Sequence, residues 1–396
     1  MTQRRGSSEL HSEMQRATQA LARGDAQLRQ ATALVERARE ELHGGGGSAA
    51  VDSRARFACD SVPGLLGNRS RPWLLIGINT VPRPGKVSYL NQTLSSLMDE
   101  LPDSPSDPLG PSAVRIVVMN MVPGGHEAFE EAKAAFTGAN HAKGSAYLTF
   151  VDRPGEYIDP RPGAPPVDDL HNPKNIPGAQ VRRQTCDVAT LLEYAAGTLD
   201  GKDGASPLAE HFMFLEDDFD TCGHAVRVLQ YALQKLRLRA PSWLALRVSY
   251  GMNGIILRAG KDAAQLAAYL RLHAARLPPD LLWQEWALAG GSRDGGGDAG
   301  REAMPRRLLY VFRQNLFAHT GDVSSFSVRP SRRAWPGCYA PMSSVWSLHK
   351  REQFDRDRCD QEDLSPCDGA ALDGGVTADW ATRLPLFGVA DDGAQP

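Results

Sequence analysis

Along this chain, short continuous apolar runs recur between longer stretches with helical spacing. Residues 73–78 read WLLIGI, 114–119 VRIVVM, 147–151 YLTFV, 212–215 FMFL, 243–249 WLALRVS and 308–312 LLYVF. Runs of this length suit strands buried on both faces of a mainly parallel sheet. Between them, Tyr89, Leu90, Leu94, Leu97 and Met98 fall on one side of a helix. Val188, Leu191, Leu192, Ala195 and Ala196 do the same over 184–199. Val226, Leu229, Leu233 and Leu236 define a third helix, with Asp220 or Thr221 as its cap. A helix over 261–277 is stopped by Pro278 and Pro279, and Asp280 opens another through Leu288. Gly251 and Gly254 bracket a turn. Strand and helix alternate from Trp73 to Phe312, so the expected fold class is α/β.

The flanks follow different patterns. Over residues 8–43, apolar or small residues recur at alternating spacings of three and four, interrupted by Gly24. This predicts a long N-terminal helix, either a weak coiled-coil stem capable of self-association or a single solvated helix. Residues 44–53 contain GGGG and read as a linker, which places the main folded domain at 54–330. The proline-rich loop 153–177 is too long for a plain connector, and 290–300 is a glycine-rich insertion. Residues 331–396 lack periodicity and read as an irregular extension.

Composition narrows the function classes. With 396 residues and a net charge of −3, the chain can bury a sizeable core and gives no reason to expect nucleic acid as a partner. The six cysteines form no CxxC pair; Cys359 and Cys367 could close a small loop or remain thiols. Neither a membrane anchor nor a signal peptide is visible. Asn68 and Asn91 begin triplets of the N-glycosylation pattern.

The chemistry-bearing stretch is HFMFLEDDFD at 211–220. A buried strand that ends in Glu216, Asp217 and Asp218 juxtaposes mutually repelling carboxylates, a donor set that hard divalent cations select. Ligands of open α/β sheets bind at the carboxyl ends of strands. The alternative is a solvated acidic turn. A transferase using a nucleotide-sugar needs a held diphosphate, neutralisation of its growing charge, and a base for the acceptor hydroxyl. The first-strand loop, the acidic strand end, a downstream acid and a late His supply suitable parts.

Four motifs, in order, resemble the N-acetylglucosaminyltransferase IV family, which adds a β1,4-linked GlcNAc to a mannose of N-glycans. They are WLLIGINTVPR with SYLNQTLSSLMDEL, RQTCDVATLLEYA, FLEDD, and NLFAHTGDVSS, the last carrying His319, Gly321 and the Ser324–Ser325 pair. The resemblance implies a GT-A glycosyltransferase fold, a UDP-sugar donor with Mn²⁺ (or Mg²⁺), a glycan or glycoprotein acceptor, inverting transfer and a Golgi lumen location. It implies Asp218 as metal ligand, His319 as a late metal or diphosphate ligand, and Glu216 and Asp217 facing the donor ribose and sugar. Thr80, Val81 and Arg83 would line the nucleotide pocket; Arg183, Gln184 and Asp187 match the pre-site helix. Asp280 or Glu285 would be the base, with Asp280 favoured because the family also has Asp there.

The chain departs from the family at Asn79, where Pro is usual, and at Arg247, where Glu is usual. Residues 331–396 are not expected to form a sugar-binding module. Two further readings therefore stay open: a related transferase with another UDP-sugar or acceptor, and a non-catalytic sugar-nucleotide or glycan-binding protein.

Overall fold

A computed structural model of the chain describes residues 71–138, 141–164, 176–199, 206–239, 241–291, 307, 309–312, 314–323, 325, 335–342 and 352–353. All belong to one compact unit, Val62–Pro396. The N-terminal helix, the glycine linker, most of the insertion after Gly291, the Asn68 triplet, Ser324 and the Cys359–Cys367 pair lie outside the described residues.

β1 (Leu74–Thr80) and β4 (His211–Glu216) are parallel neighbours in an eight-stranded sheet. On one side of them lie β2 (Val114–Asn120) and β3 (Leu148–Asp152). On the other lie β7 (Ile255–Arg258), β6 (Ala245–Arg247), β8 (Leu309–Val311) and β10 (Glu352–Gln353). Only β7 runs antiparallel to its neighbours β4 and β6; the remaining pairings are parallel. The class is α/β with a mostly parallel sheet, as the apolar runs imply.

Side chains alternate along a strand, so each central strand feeds two cores. Ile76 and Ile78 join α1 (Leu90–Glu100), α2 (Glu127–Phe136), α3 (Ala142–Tyr147) and α5 (Ala225–Arg239) on one face. Leu75, Phe212 and Phe214 join α4 (Ala179–Ala196), α6 (Lys261–His273) and α7 (Pro279–Leu288) on the other. Burying each such side chain contributes about 1.5–3 kcal/mol. Gly77 makes the second core possible. A Cβ there would lie 2.3 Å from the Phe212 ring and 3.0 Å from Leu191 on α4.

Several boundaries differ from the sequence reading, each for a local reason. α4 stops at Ala196 because Gly197 takes a left-handed φ of 72° and donates its N–H back to Glu193 and Tyr194. Asp220 and Thr221 do not cap α5. They belong to β5 (Phe219–Thr221), which pairs antiparallel with β9 (Phe317–His319). The expected 243–249 strand is laddered only at Ala245–Arg247, because Val248 turns to donate to Gly254. Gly251 and Gly254, both at φ 61°, do bracket the turn, and β7 follows directly. In the region read as an irregular extension, residues 335–342 and 352–353 are ordered against the domain. Among the described residues no helix is long and apolar enough to cross a membrane.

Candidate functional site

The register of β1 on β4 sets Asn79 opposite Glu216, so the loop after β1 and the acidic end of β4 leave the sheet side by side. Thr80 Oγ1 donates to Asp217 Oδ2. Arg83 comes back over the same edge: its Nη2 donates to Asp217 Oδ1 and lies 3.0 Å from Asp218 Oδ2, while Nη1 donates to the Val323 carbonyl at 2.8 Å. The guanidinium lies 5.1 Å from the centre of the Tyr89 ring. The Tyr89 hydroxyl accepts the Asp322 and Val323 N–H groups at 3.0 and 3.1 Å. Thr93 on α1 fixes the backbone after the strand, donating to the Asp217 carbonyl at 3.0 Å and accepting the Phe219 N–H at 3.2 Å.

The β5–β9 pairing carries the late histidine to the acidic end. Phe219 faces His319 across that pair, and His319 Nε2 lies 3.4 Å from Asp218 Oδ2. Both the N–H and the hydroxyl of Thr320 donate to the Asp218 carbonyl, at 2.9 and 3.1 Å. A Cβ on Gly321 would fall 2.4 Å from Asp218 Oδ2, so only glycine lets this loop close over the carboxylate. Glu216 is held separately. Asn253 accepts its backbone N–H at 2.6 Å and donates to Oε2 at 2.7 Å, and Gln184 donates to Oε1 at 3.3 Å.

These groups border a cleft of about 530 Å³. Glu216, Asp217, Asp218 and His319 line its acidic side, and Gln180, Arg183, Gln184 and Asp187 come from α4. Asn79, Val81, Pro82 and Arg83 enter from the β1 loop, with Ser325 and Trp335 from the late segments. On α4, buried Asp187 pairs with Arg153 at 3.1 Å and with Arg183 at 3.8 Å. The Arg153 and Arg183 guanidinium groups each lie 5.6 Å from the centre of the Tyr157 ring.

The electrostatics separate the carboxylates. Burial, then repulsion from Asp218, pushes Glu216 up to about 7, against the opposing pulls of Asn253, Arg83 and His319. Burial raises Asp217 despite Arg83. Burial also works against ionised Asp218, but the hydrogen bond from His319 and the charge of Arg83 overcome it and hold Asp218 below the ordinary aspartate range. Arg83 is the reciprocal case: burial disfavours its charge, yet Asp217 and then Asp218 raise it. Of the three, Asp218 is the one shifted towards its ionised form.

Asp218 Oδ1 is buried and has no hydrogen-bond partner among the described residues. A buried carboxylate oxygen without a donor is costly, and a cation relieves that cost. Among the described residues no three His, Cys, Asp or Glu side chains form a preformed metal cluster. Asp218 and His319 thus fit an ion that takes its other oxygens from substrate and water, as Mg²⁺ habitually does.

Most residues expected from the sequence meet here: Val81, Arg83, Arg183, Gln184, Asp187, Glu216, Asp217, Asp218 and His319 line the cleft. Thr80 is buried behind Asp217. Asp280 and Glu285 are not among the lining residues. Glu285 is taken up by Arg276, at 2.8 and 2.9 Å, and by the Tyr269 hydroxyl at 2.5 Å. Asp280 stands at the start of α7, where burial raises it and the charge of Arg247 pulls the other way. Arg247 is fully buried. It donates to the Ser249 and Gly251 carbonyls at 2.9 and 3.1 Å and lies 5.9 Å from the centre of the Trp283 ring.

Sequence reasoning missed Asn253, Thr93 and Trp335. Asn253 had a signal, since it sits between the two turn glycines where the chain passes from β6 into β7. Trp335 had none, lying in an aperiodic segment.

No family model matches the chain, and no curated protein sequence matches it. Among solved structures it is similar to a cytidylyltransferase from Leptospira borgpetersenii serovar Hardjo-bovis (strain JB197), with 12% identity over 52% of this chain and 68% of that one, at a TM-score of 0.28. It is also similar to mouse xyloside xylosyltransferase 1 in its apo form, with 10% identity over 55% and 75% of the chains and a TM-score of 0.26. At such TM-scores neither likeness decides anything about fold or chemistry.

Proposed function

We propose that the protein is a metal-dependent, inverting glycosyltransferase of the GT-A type that transfers a sugar from a UDP-sugar to a glycan hydroxyl. On the resemblance of its four motifs, the reaction is transfer of GlcNAc from UDP-GlcNAc in β1,4 linkage to a mannose of an N-glycan. The observation that carries the proposal is the placement of Asp218: buried, 3.4 Å from His319, and with one oxygen unpartnered among the described residues, at the edge of a cleft large enough for a nucleotide-sugar. Asp218 and His319 would hold Mn²⁺ or Mg²⁺, and an ion bound there supplies charge neutralisation for a departing diphosphate. The remaining roles fall to this chain's own side chains. Arg83 keeps Asp217 in place and adds positive charge beside Asp218. Asn253 and Gln184 orient Glu216 towards the cleft. Arg183 and Asp187, from α4, also line the cleft. The disulfide between Cys222 and Cys338 supports an oxidising compartment such as the Golgi lumen.

Calorimetric titration with UDP tests the proposal. Binding should require Mn²⁺ and should be lost in EDTA. Asp218→Asn should reproduce the EDTA result, weakening UDP by at least about 10-fold, the scale of one charge-assisted contact. Unchanged UDP affinity in EDTA would sink the metal site.

A second reading has an observation of its own. Arg83 already balances Asp217 and Asp218, and neither Asp280 nor Glu285 lines the cleft. A protein that binds a sugar-nucleotide without turnover would look like this. UDP release in the presence of a mannose-terminated acceptor separates the two readings.

A further inference from the structure

Residues 335–342 reach the cleft from a stretch of sequence that reads as irregular, and the fold fixes them at several points. Cys338 is joined to Cys222, the residue that follows β5, across 116 positions of chain. Buried Asn315 donates from Nδ2 to the Pro336 and Gly337 carbonyls, both at 3.1 Å. The Asn315 N–H donates to the Ala340 carbonyl at 2.9 Å, and the Tyr339 N–H returns to the Asn315 carbonyl at 2.8 Å. Tyr339 is buried, and its hydroxyl donates to the Gly223 carbonyl. These bonds make 335–342 a rigid bracket rather than a tail.

At the head of the bracket stands Trp335, half-buried and lining the cleft. Its ring centre is 5.1 Å from that of His319 at an interplanar angle of 43°, and His319 in turn meets Phe219 edge-on at 5.0 Å. The aromatic wall therefore continues from the Asp218–His319 pair. A tryptophan left part-exposed among polar lining residues is explained if a ligand covers it. A pyranose ring suits that surface. One face of the ring presents C–H groups that pack on the electron-rich indole face, and its rim of hydroxyls remains free for the carboxylates around it.

Building on the nucleotide-sugar reading, we infer that Trp335 is the platform of a pyranose subsite, and that the Cys222–Cys338 bracket holds it in register with Asp218 and His319. The ring it carries is either the transferred sugar of the donor or the accepting sugar of the glycan. Both present the same chemistry, and the experiment separates them.

The test uses the full chain, Trp335→Ala, Trp335→Phe and the Cys222→Ser/Cys338→Ser double variant. Each is titrated calorimetrically, in Mn²⁺, with UDP, with UDP-GlcNAc and with a mannose-terminated glycan, and its melting temperature is recorded. UDP binding by the wild-type chain reports on the nucleotide reading alone. The subsite predicts that Trp335→Ala leaves UDP within twofold, and weakens either UDP-GlcNAc or the glycan by about 10-fold, the scale of an aromatic contact. Selective loss of UDP-GlcNAc assigns the donor sugar; selective loss of the glycan assigns the acceptor. Trp335→Phe should recover most of the loss. The double variant should show the same sugar-selective loss; wild-type sugar affinity in it would overturn the role of the bracket. If Trp335→Ala binds all three as the wild type does, the subsite is wrong. It is equally wrong if UDP and sugars weaken together with a fall in melting temperature, which would make Trp335 a structural prop. A wild-type chain that binds UDP but gains nothing from either sugar overturns the subsite and leaves the nucleotide reading standing. Glycan binding that depends on Trp335 in a chain that ignores UDP does the reverse.

Discussion

At the scale of single residues, the site works by setting neighbouring carboxylates apart. Asp218 is kept ionised by His319 and Arg83, whereas Glu216 is pushed up by burial and by Asp218 itself. In the proposed reaction both would face donor and metal, so the base would lie elsewhere. Neither candidate lines the cleft, and the two differ in their surroundings. Glu285 is half-exposed and held below the ordinary glutamate range, first by the hydrogen bond from Arg276. That is the state of a surface ion pair, worth roughly 0–1 kcal/mol to stability. Asp280 does not line the cleft either, but in the proposed reaction it is the better candidate, since burial raises it, the direction expected of a general base. Its placement by the short Pro278–Pro279 entry into α7 fixes its backbone. Asp280→Asn should therefore lower kcat by about 100-fold or more with UDP affinity unchanged, and Glu285→Gln should leave turnover within about threefold. Steady-state kinetics with saturating donor decides. If the Gln variant loses turnover and the Asn variant keeps it, the assignment is reversed; if neither loses it, the base lies outside α7.

At the scale of elements, the central sheet was legible because its strands are short apolar runs, and their alternation with helices implies parallel pairing. β1 shows why a propensity reading stops short of packing. WLLIGI reads as a strand despite its glycine, but only the structure shows that Gly77 makes room for Phe212 and Leu191. Gly77→Ala should cost about 1–3 kcal/mol, the usual penalty of overpacking a filled core, read as a lowered midpoint in urea. A neutral result would mean that Phe212 can swing aside. The acidic end of β4 was legible too, because three carboxylates after an apolar run have few structural explanations. Less legible were the elements whose reason is tertiary. β5 and β9 are three residues each, and nothing in either shows that they pair across almost a hundred residues to bring His319 to Asp218. β7 lies between a glycine turn and a helix and carries no alternation of its own. The Cys222–Cys338 pairing and the place of Trp335 depend on a segment whose order comes from Asn315 and the disulfide rather than from periodicity.

At the scale of the whole molecule, β1 and β4 sit near the middle of the sheet with a core on each face, and the cleft at their carboxyl ends takes its helical lining from α4. Building a charged cleft against two cores has a cost that depends on pH. Asp187, buried on α4, shows it most plainly. Burial holds its carboxyl up at about 7, outweighing the pull of Arg153, then of Arg183, then of Arg271 from α6. Between the ordinary aspartate range and about 7, the folded chain keeps a proton on Asp187 that the unfolded chain has released. Stability should therefore fall as pH rises through that window and level off above it. Glu216 acts in the same direction, while the lowered Asp218 acts oppositely and only in more acidic solution. Asp187→Asn replaces the carboxyl with an amide close in shape to its protonated form, which cannot ionise. The melting temperature of the wild type should drop between pH 5 and pH 8 by a few degrees more than that of the Asn variant, since ~1 kcal/mol moves the midpoint by about 2–4 °C in a domain of this size. Calorimetric scans at both pH values in metal-free buffer read the difference. Equal slopes in the two proteins would mean that Asp187 is ionised throughout and that Arg153 and Arg183 hold it as a simple buried ion pair.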